Sequence, residues 1–72
     1  MDKNNEKDQK MGIVTEALPN TFFKVKIEGQ EEEVLTYLAG KMRLHRIRVL
    51  IGDKVVVVPD QYGGKGRIIK RL

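Results

Sequence analysis

Apolar and polar positions alternate with a period of two over much of the chain. The clearest stretch is 21–27, where Phe23, Val25 and Ile27 interleave with Phe22, Lys24 and Lys26. Successive side chains of a strand point to opposite faces, so this spacing predicts a strand with one apolar face and one basic face that carries an aromatic ring. A strand is also predicted over 11–18, closed by Pro19-Asn20, and another over 34–38 with Val34, Thr36 and Leu38 on one side. Gly29-Gln30 turns the chain between the second and third strands, and Gly40 ends the third. A strand is predicted over 54–58, where Val55 to Val58 are a β-branched run set between Gly52-Asp53 and Pro59. A glycine-rich loop over 60–66 leads into a last strand over 67–71. Strict alternation puts Arg67 and Arg71 on one face of it and Lys70 on the other.

Alternation fails over 41–47. Met42, with Leu44 or His45 and with Ile47, fits one side of a helical turn or two, and Met42, Ile47 and Val49 are the expected apolar anchors of this segment. The order is three strands, a short helical connector and two strands. A five-stranded sheet of this size exposes its edges unless it closes on itself. Closure predicts an all-β, five-stranded antiparallel Greek-key barrel, the OB-fold, with a helical connector between strands 3 and 4. An SH3-like barrel of similar size is the alternative.

The length of 72 residues bounds this to one domain. Cys and Ser are absent and His45 is the one histidine, so thiolate chemistry, the commonest hydroxyl nucleophile and a multi-histidine metal site are all unavailable. We expect no enzyme, no cofactor and no metal. A membrane-spanning helix needs about 20 apolar residues, and the longest apolar runs here are far shorter. Residues 2–10 alternate charges and do not form a signal peptide, so a cytoplasmic protein is expected. Residues 1–10 read as a disordered arm before a folded domain over 11–72.

Net charge is +4, and its distribution matters more than its sum. Lys41, Arg43, Arg46 and Arg48 make one cation-rich segment, and Lys65, Arg67, Lys70 and Arg71 make a second. Glu28, Glu31, Glu32 and Glu33 are gathered elsewhere. Two basic segments without an internal acid predict contact with a polyanion. Arginine forks suit phosphate oxygens and stack on bases. Lys24 adds charge beside Phe22 on the outer face of the second strand, and Phe22, Tyr62 and Tyr37 are candidate stacking rings. Gly63-Gly64-Lys65-Gly66 is not a phosphate-cradling Walker loop, because Arg67 and a strand follow instead of Ser or Thr and a helix.

The elements Leu18-Pro19-Asn20-Thr21-Phe22-Phe23-Lys24-Val25, Gly40-Lys41-Met42-Arg43, Ile47-Arg48-Val49-Leu50, Gly52-Asp53-Lys54-Val55 and Lys65-Gly66-Arg67-Ile68 occur in this order. In them the chain resembles bacterial translation initiation factor 1, an S1-like OB-fold family, over residues 11–71. The resemblance implies a protein that binds rRNA at the decoding A site of the small ribosomal subunit and occludes it. It implies contact with a small-subunit ribosomal protein and cooperation with the other two initiation factors. The cations matching the family are Lys41, Arg43, Arg48, Lys65, Arg67 and Arg71. Lys24 stands where the family usually has Arg, Arg46 where it usually has an aromatic, and Ala39 where it usually has Ser; Gly63 follows Tyr62 where Asp is usual. The expected RNA-binding set, with the basic residues outside the matching positions included, is Lys24, Lys41, Arg43, Arg46, Arg48, Lys65, Arg67, Lys70 and Arg71, on a monomer. A single-stranded RNA chaperone of cold-shock type shares the barrel, but the chain lacks its Phe-Gly-Phe pattern. An adaptor for an acidic protein surface is the third alternative.

Overall fold

A computed structural model describes residues 9–60 and 63–72. Its elements are β1 (Lys10–Ala17), β2 (Phe22–Ile27), β3 (Glu33–Leu38), the helix α1 (Gly40–Leu44), β4 (Lys54–Val58) and β5 (Gly66–Arg71). All five expected strands are present, and the one over 54–58 has the expected bounds. The expected arm over 1–10 lies outside the described residues for 1–8, while Lys10 already belongs to β1. The helix is shorter than the 41–47 expected, because Arg46 takes a positive φ that ends it.

The strands close into a barrel in the order β1-β2-β3-β5-β4, with β4 returning to β1. Four neighbouring pairs are antiparallel, and β3 and β5 run parallel. The expected five-stranded barrel is therefore present, with one parallel pair beside its four antiparallel ones. Strand directions cannot alternate all the way round a closed ring with an odd number of members, so one parallel pair is obligatory. The closed five-stranded barrel with a helix between the third and fourth strands is the OB-fold.

The interior is a cluster of Val14, Val25, Ile27, Met42, Val49, Val55, Val57 and Ile68, with Phe23, Val34, Leu38 and Ile47 packed against it. The one fully buried polar side chain among the described residues, Thr36, donates its hydroxyl hydrogen to the Phe23 carbonyl at 2.9 Å, which meets its bonding requirement without water. Gly12 is paired on both edges, with Ile27 of β2 and Val55 of β4. A Cβ there would meet the Lys26 carbonyl oxygen at 2.7 Å, and backbone cannot give way as a flexible side chain does.

Candidate nucleic-acid interface

The helix and the residues after it form one basic end of the barrel. The Ala39 N–H donates to the Ile68 carbonyl at 2.9 Å, which fastens the start of α1 to β5. Met42 turns inward and is 1% exposed. After Leu44 the chain ends the helix in a Schellman motif: the Ile47 N–H donates to the Met42 carbonyl at 3.0 Å and the Arg46 N–H to the Arg43 carbonyl at 3.1 Å, with Arg46 at φ 54°. Ile47 packs on the core and Val49 is buried, so the three anchors expected from the sequence all dock. Neither alternative for a fourth anchor does, since Leu44 and His45 are both exposed. With Met42, Ile47 and Val49 committed inward, Lys41, Arg43, Arg46 and Arg48 are left exposed.

The second basic segment is tied to the first. Nη1 of Arg71 donates to the Arg48 carbonyl at 2.9 Å. Arg71 therefore braces the segment 46–49 as well as carrying charge.

The faces of β5 differ from the sequence expectation. Val57 pairs with Ile68 and Val56 with Lys70, so Ile69 is an extra residue in the ladder. Such a bulge reverses the alternation beyond it. Arg67 and Lys70 consequently share the outer face, in register with Val58 and Val56, while Arg71 pairs with inward-facing Val55 at the barrel end. The expected pairing of Arg67 with Arg71 on one face is thus corrected.

On the outer wall, Phe22 pairs with Tyr37 and Tyr37 with Arg67. Side chains opposite each other across a ladder lie on one face, so two aromatic rings and a guanidinium form a row across β2, β3 and β5. The Lys65 Nζ lies 5.0 Å from the Phe22 ring centroid, within cation–π reach. The Arg67 Nε is buried and has no hydrogen-bond acceptor among the described residues. Tyr37, one of the stacking candidates read from the sequence, stands in the middle of this row. A hairpin centred on Gly29-Gln30 pairs Phe22 with Tyr37, so the symmetry of the turn was a usable signal. Tyr62 lies outside the described residues.

Lys24 differs from the other cations. Its Nζ is 3.6 Å from Oε1 of Glu16, its cross-strand partner, and both side chains are about half exposed. Such a pair contributes only about 0–1 kcal/mol, but it partly neutralises Lys24. It is the only ion pair among the described residues, so the cations of the two basic segments are free of acidic partners there. The four glutamates lie at the β2–β3 hairpin, at the far end of β3 from α1. Six residues at about 3.3 Å each place them about 20 Å away, more than two screening lengths of about 8 Å at physiological salt. The acidic tip therefore does not cancel the basic end.

The pattern of the translation initiation factor 1A / IF-1 family matches residues 1–72. This chain belongs to that family. Among solved structures, it is similar to translation initiation factor 1 of the Wolbachia endosymbiont (strain TRS) of Brugia malayi, with a TM-score of 0.74 and 40% identity over 100% of this chain and 88% of that one. It is also similar to YjeQ from Thermotoga maritima, with a TM-score of 0.76 and 31% identity over 89% of this chain. The match spans only 22% of the YjeQ chain. Membership of the family makes the chain a translation initiation factor, a non-enzymatic class of protein. Among the described residues, no helix is long and apolar enough to cross a membrane.

Proposed function

We propose that this initiation factor binds rRNA at the decoding A site of the small ribosomal subunit, occludes it, and acts there with a ribosomal protein and the other initiation factors. It does so as a cytoplasmic monomer. The observation that carries this reading is the convergence of Lys41, Arg43, Arg46, Arg48 and Arg71 at one end of the barrel, without acidic partners among the described residues. Phosphate neutralisation supplies the affinity, and shape complementarity to folded rRNA supplies the selectivity. The Phe22–Tyr37–Arg67 row, with Lys65 and Lys24 beside it, is the second contact region and offers ring faces and a guanidinium Nε that has no acceptor among the described residues. The test is co-sedimentation of labelled protein with purified small subunits at low and high salt, combined with chemical probing of the rRNA. Salt-sensitive binding that protects decoding-region nucleotides and excludes A-site tRNA is expected. Tight binding to short unstructured RNA with none to the subunit overturns the reading in favour of a general RNA chaperone.

A further inference from the structure

The side of the barrel built by β1 and β4 carries a different chemistry. Ile13 pairs with Lys26 on β2 and Lys54 on β4, and the Leu72 N–H donates to the Lys54 carbonyl at 2.8 Å. Leu72, Lys54, Ile13 and Lys26 thus form a row on the outer surface. The adjacent row is Lys70, Val56, Met11 and Glu28, from the Val56–Lys70 and Met11–Val56 pairs and the Glu28 N–H bond to the Met11 carbonyl. Aliphatic side chains lie between lysines in the first row and between a lysine and a glutamate in the second.

This surface gathers most of the exposed apolar material. Of six large apolar side chains exposed among the described residues, Met11, Ile13 and Leu72 are in these rows. Leu50 and Ile51 stand on the turn bonded to β1, through the Gly52 N–H to the Val14 carbonyl at 2.8 Å and the Val14 N–H to the Asp53 carbonyl at 3.0 Å. Turn tips ordinarily carry polar residues. Here the Asp53 carboxylate accepts the Leu50 N–H at 2.8 Å and holds two aliphatics in water.

We propose that this face is a protein-docking surface for an amphipathic helix with acidic flanks, separate from the rRNA-binding end. Charge complementarity selects the occupant: Lys54 and Lys26, whose Nζ donates one hydrogen to the Gln30 carbonyl at 3.0 Å and keeps two others, flank Ile13 and call for carboxylates, whereas an RNA backbone gains nothing from Ile13, Met11 and Leu72. β1 is paired on both edges, so a strand cannot be added and the partner must lie across the side chains. Lys26 and Lys54 stand two strand spacings apart, about 10 Å. Two turns of helix, from i to i+7, span about 10.5 Å, so one helix can present a leucine to Ile13 and a glutamate to each lysine.

The probe is a designed 21-residue acetylated helical peptide with leucines at i, i+3 and i+7 flanked by glutamates. It is titrated into the full isotope-labelled chain and followed by amide NMR shifts. Saturable shifts centred on Met11, Ile13, Lys26, Lys54 and Leu72 are expected, with affinity reduced at least tenfold by Ile13→Thr and by the Lys26→Gln/Lys54→Gln pair. Both variants change only outward side chains, and the second keeps every apolar contact should the first perturb folding. A peptide with lysines in place of the glutamates is expected not to bind. Absence of saturable shifts, shifts centred on 41–48 and Arg67, equal binding of the lysine peptide, or a 12-nucleotide unstructured RNA that moves the same β1–β4 residues each overturns the proposal.

Discussion

Arg46 combines an exposed cation with a backbone conformation that favours glycine. At the position after a helix cap, φ of 54° closes both Schellman hydrogen bonds, and glycine is the usual occupant because it has no Cβ to clash. The left-handed conformation costs a non-glycine residue about 1 kcal/mol. Arg46→Gly is therefore expected to stabilise the fold by about 1 kcal/mol, a rise in Tm of roughly 4–8 °C for a domain of this size. The same substitution removes an exposed guanidinium from the basic end and is expected to weaken binding to the small subunit. Thermal denaturation and co-sedimentation of one variant measure the two effects, and their opposite signs separate a functional role from a structural one. A rise in Tm with unchanged binding assigns Arg46 to the cap alone.

The short element α1 depends on one side chain. Five residues are too few for a helix to persist on its own propensity, and Met42 is the only buried residue of α1. Met42→Ala leaves a cavity under the element that presents Lys41 and Arg43, and such truncations cost about 2–5 kcal/mol. A domain near this size is only marginally stable, so a large fall in the urea midpoint is expected, with amide exchange accelerating first over 40–49. Exchange that accelerates uniformly contradicts a local role for Met42. Legibility in the sequence also divides at this scale. Met42, Ile47 and Val49 were readable because aliphatic residues inside a cationic stretch have only the core as a dry environment. The strand over 54–58 was readable because a valine run between turn residues has one outcome. The bulge at Ile69 carries no signature in the chain itself: it arises from fitting β5 between β3 and β4 in a closed ring, and it alone decides that Arg67 shares its face with Lys70. The Phe22–Tyr37–Arg67 row was half legible. Hairpin symmetry reaches Tyr37, but the link to Arg67 is a parallel pairing between distant strands that no local pattern encodes.

Across the whole molecule, charge is sorted along the strands, with the glutamates at the β2–β3 hairpin and the exposed cations of the connector at the other end. A cation without an acidic partner displaces a condensed counterion when it meets a phosphate, so the salt dependence of binding counts such contacts. Five cations, Lys41, Arg43, Arg46, Arg48 and Arg71, meet at the basic end. If each neutralises one phosphate, log Kd against log salt has a slope of about 3.5 to 4.5 in magnitude, at about 0.7–0.9 per contact. Lys24 is already paired with Glu16, so Lys24→Ala is expected to leave the slope almost unchanged. Arg43→Ala combined with Arg67→Ala removes one cation from the basic end and one from the aromatic row, and the slope is expected to fall by about 1.4–1.8 if both touch phosphate. A fall of about half that size means that Arg67 meets a base or a sugar instead, which is the outcome its place beside Tyr37 and its unsatisfied Nε also permit. No change in slope, with both variants folded, removes the basic end from the binding surface and with it the electrostatic account of how this barrel holds the ribosome.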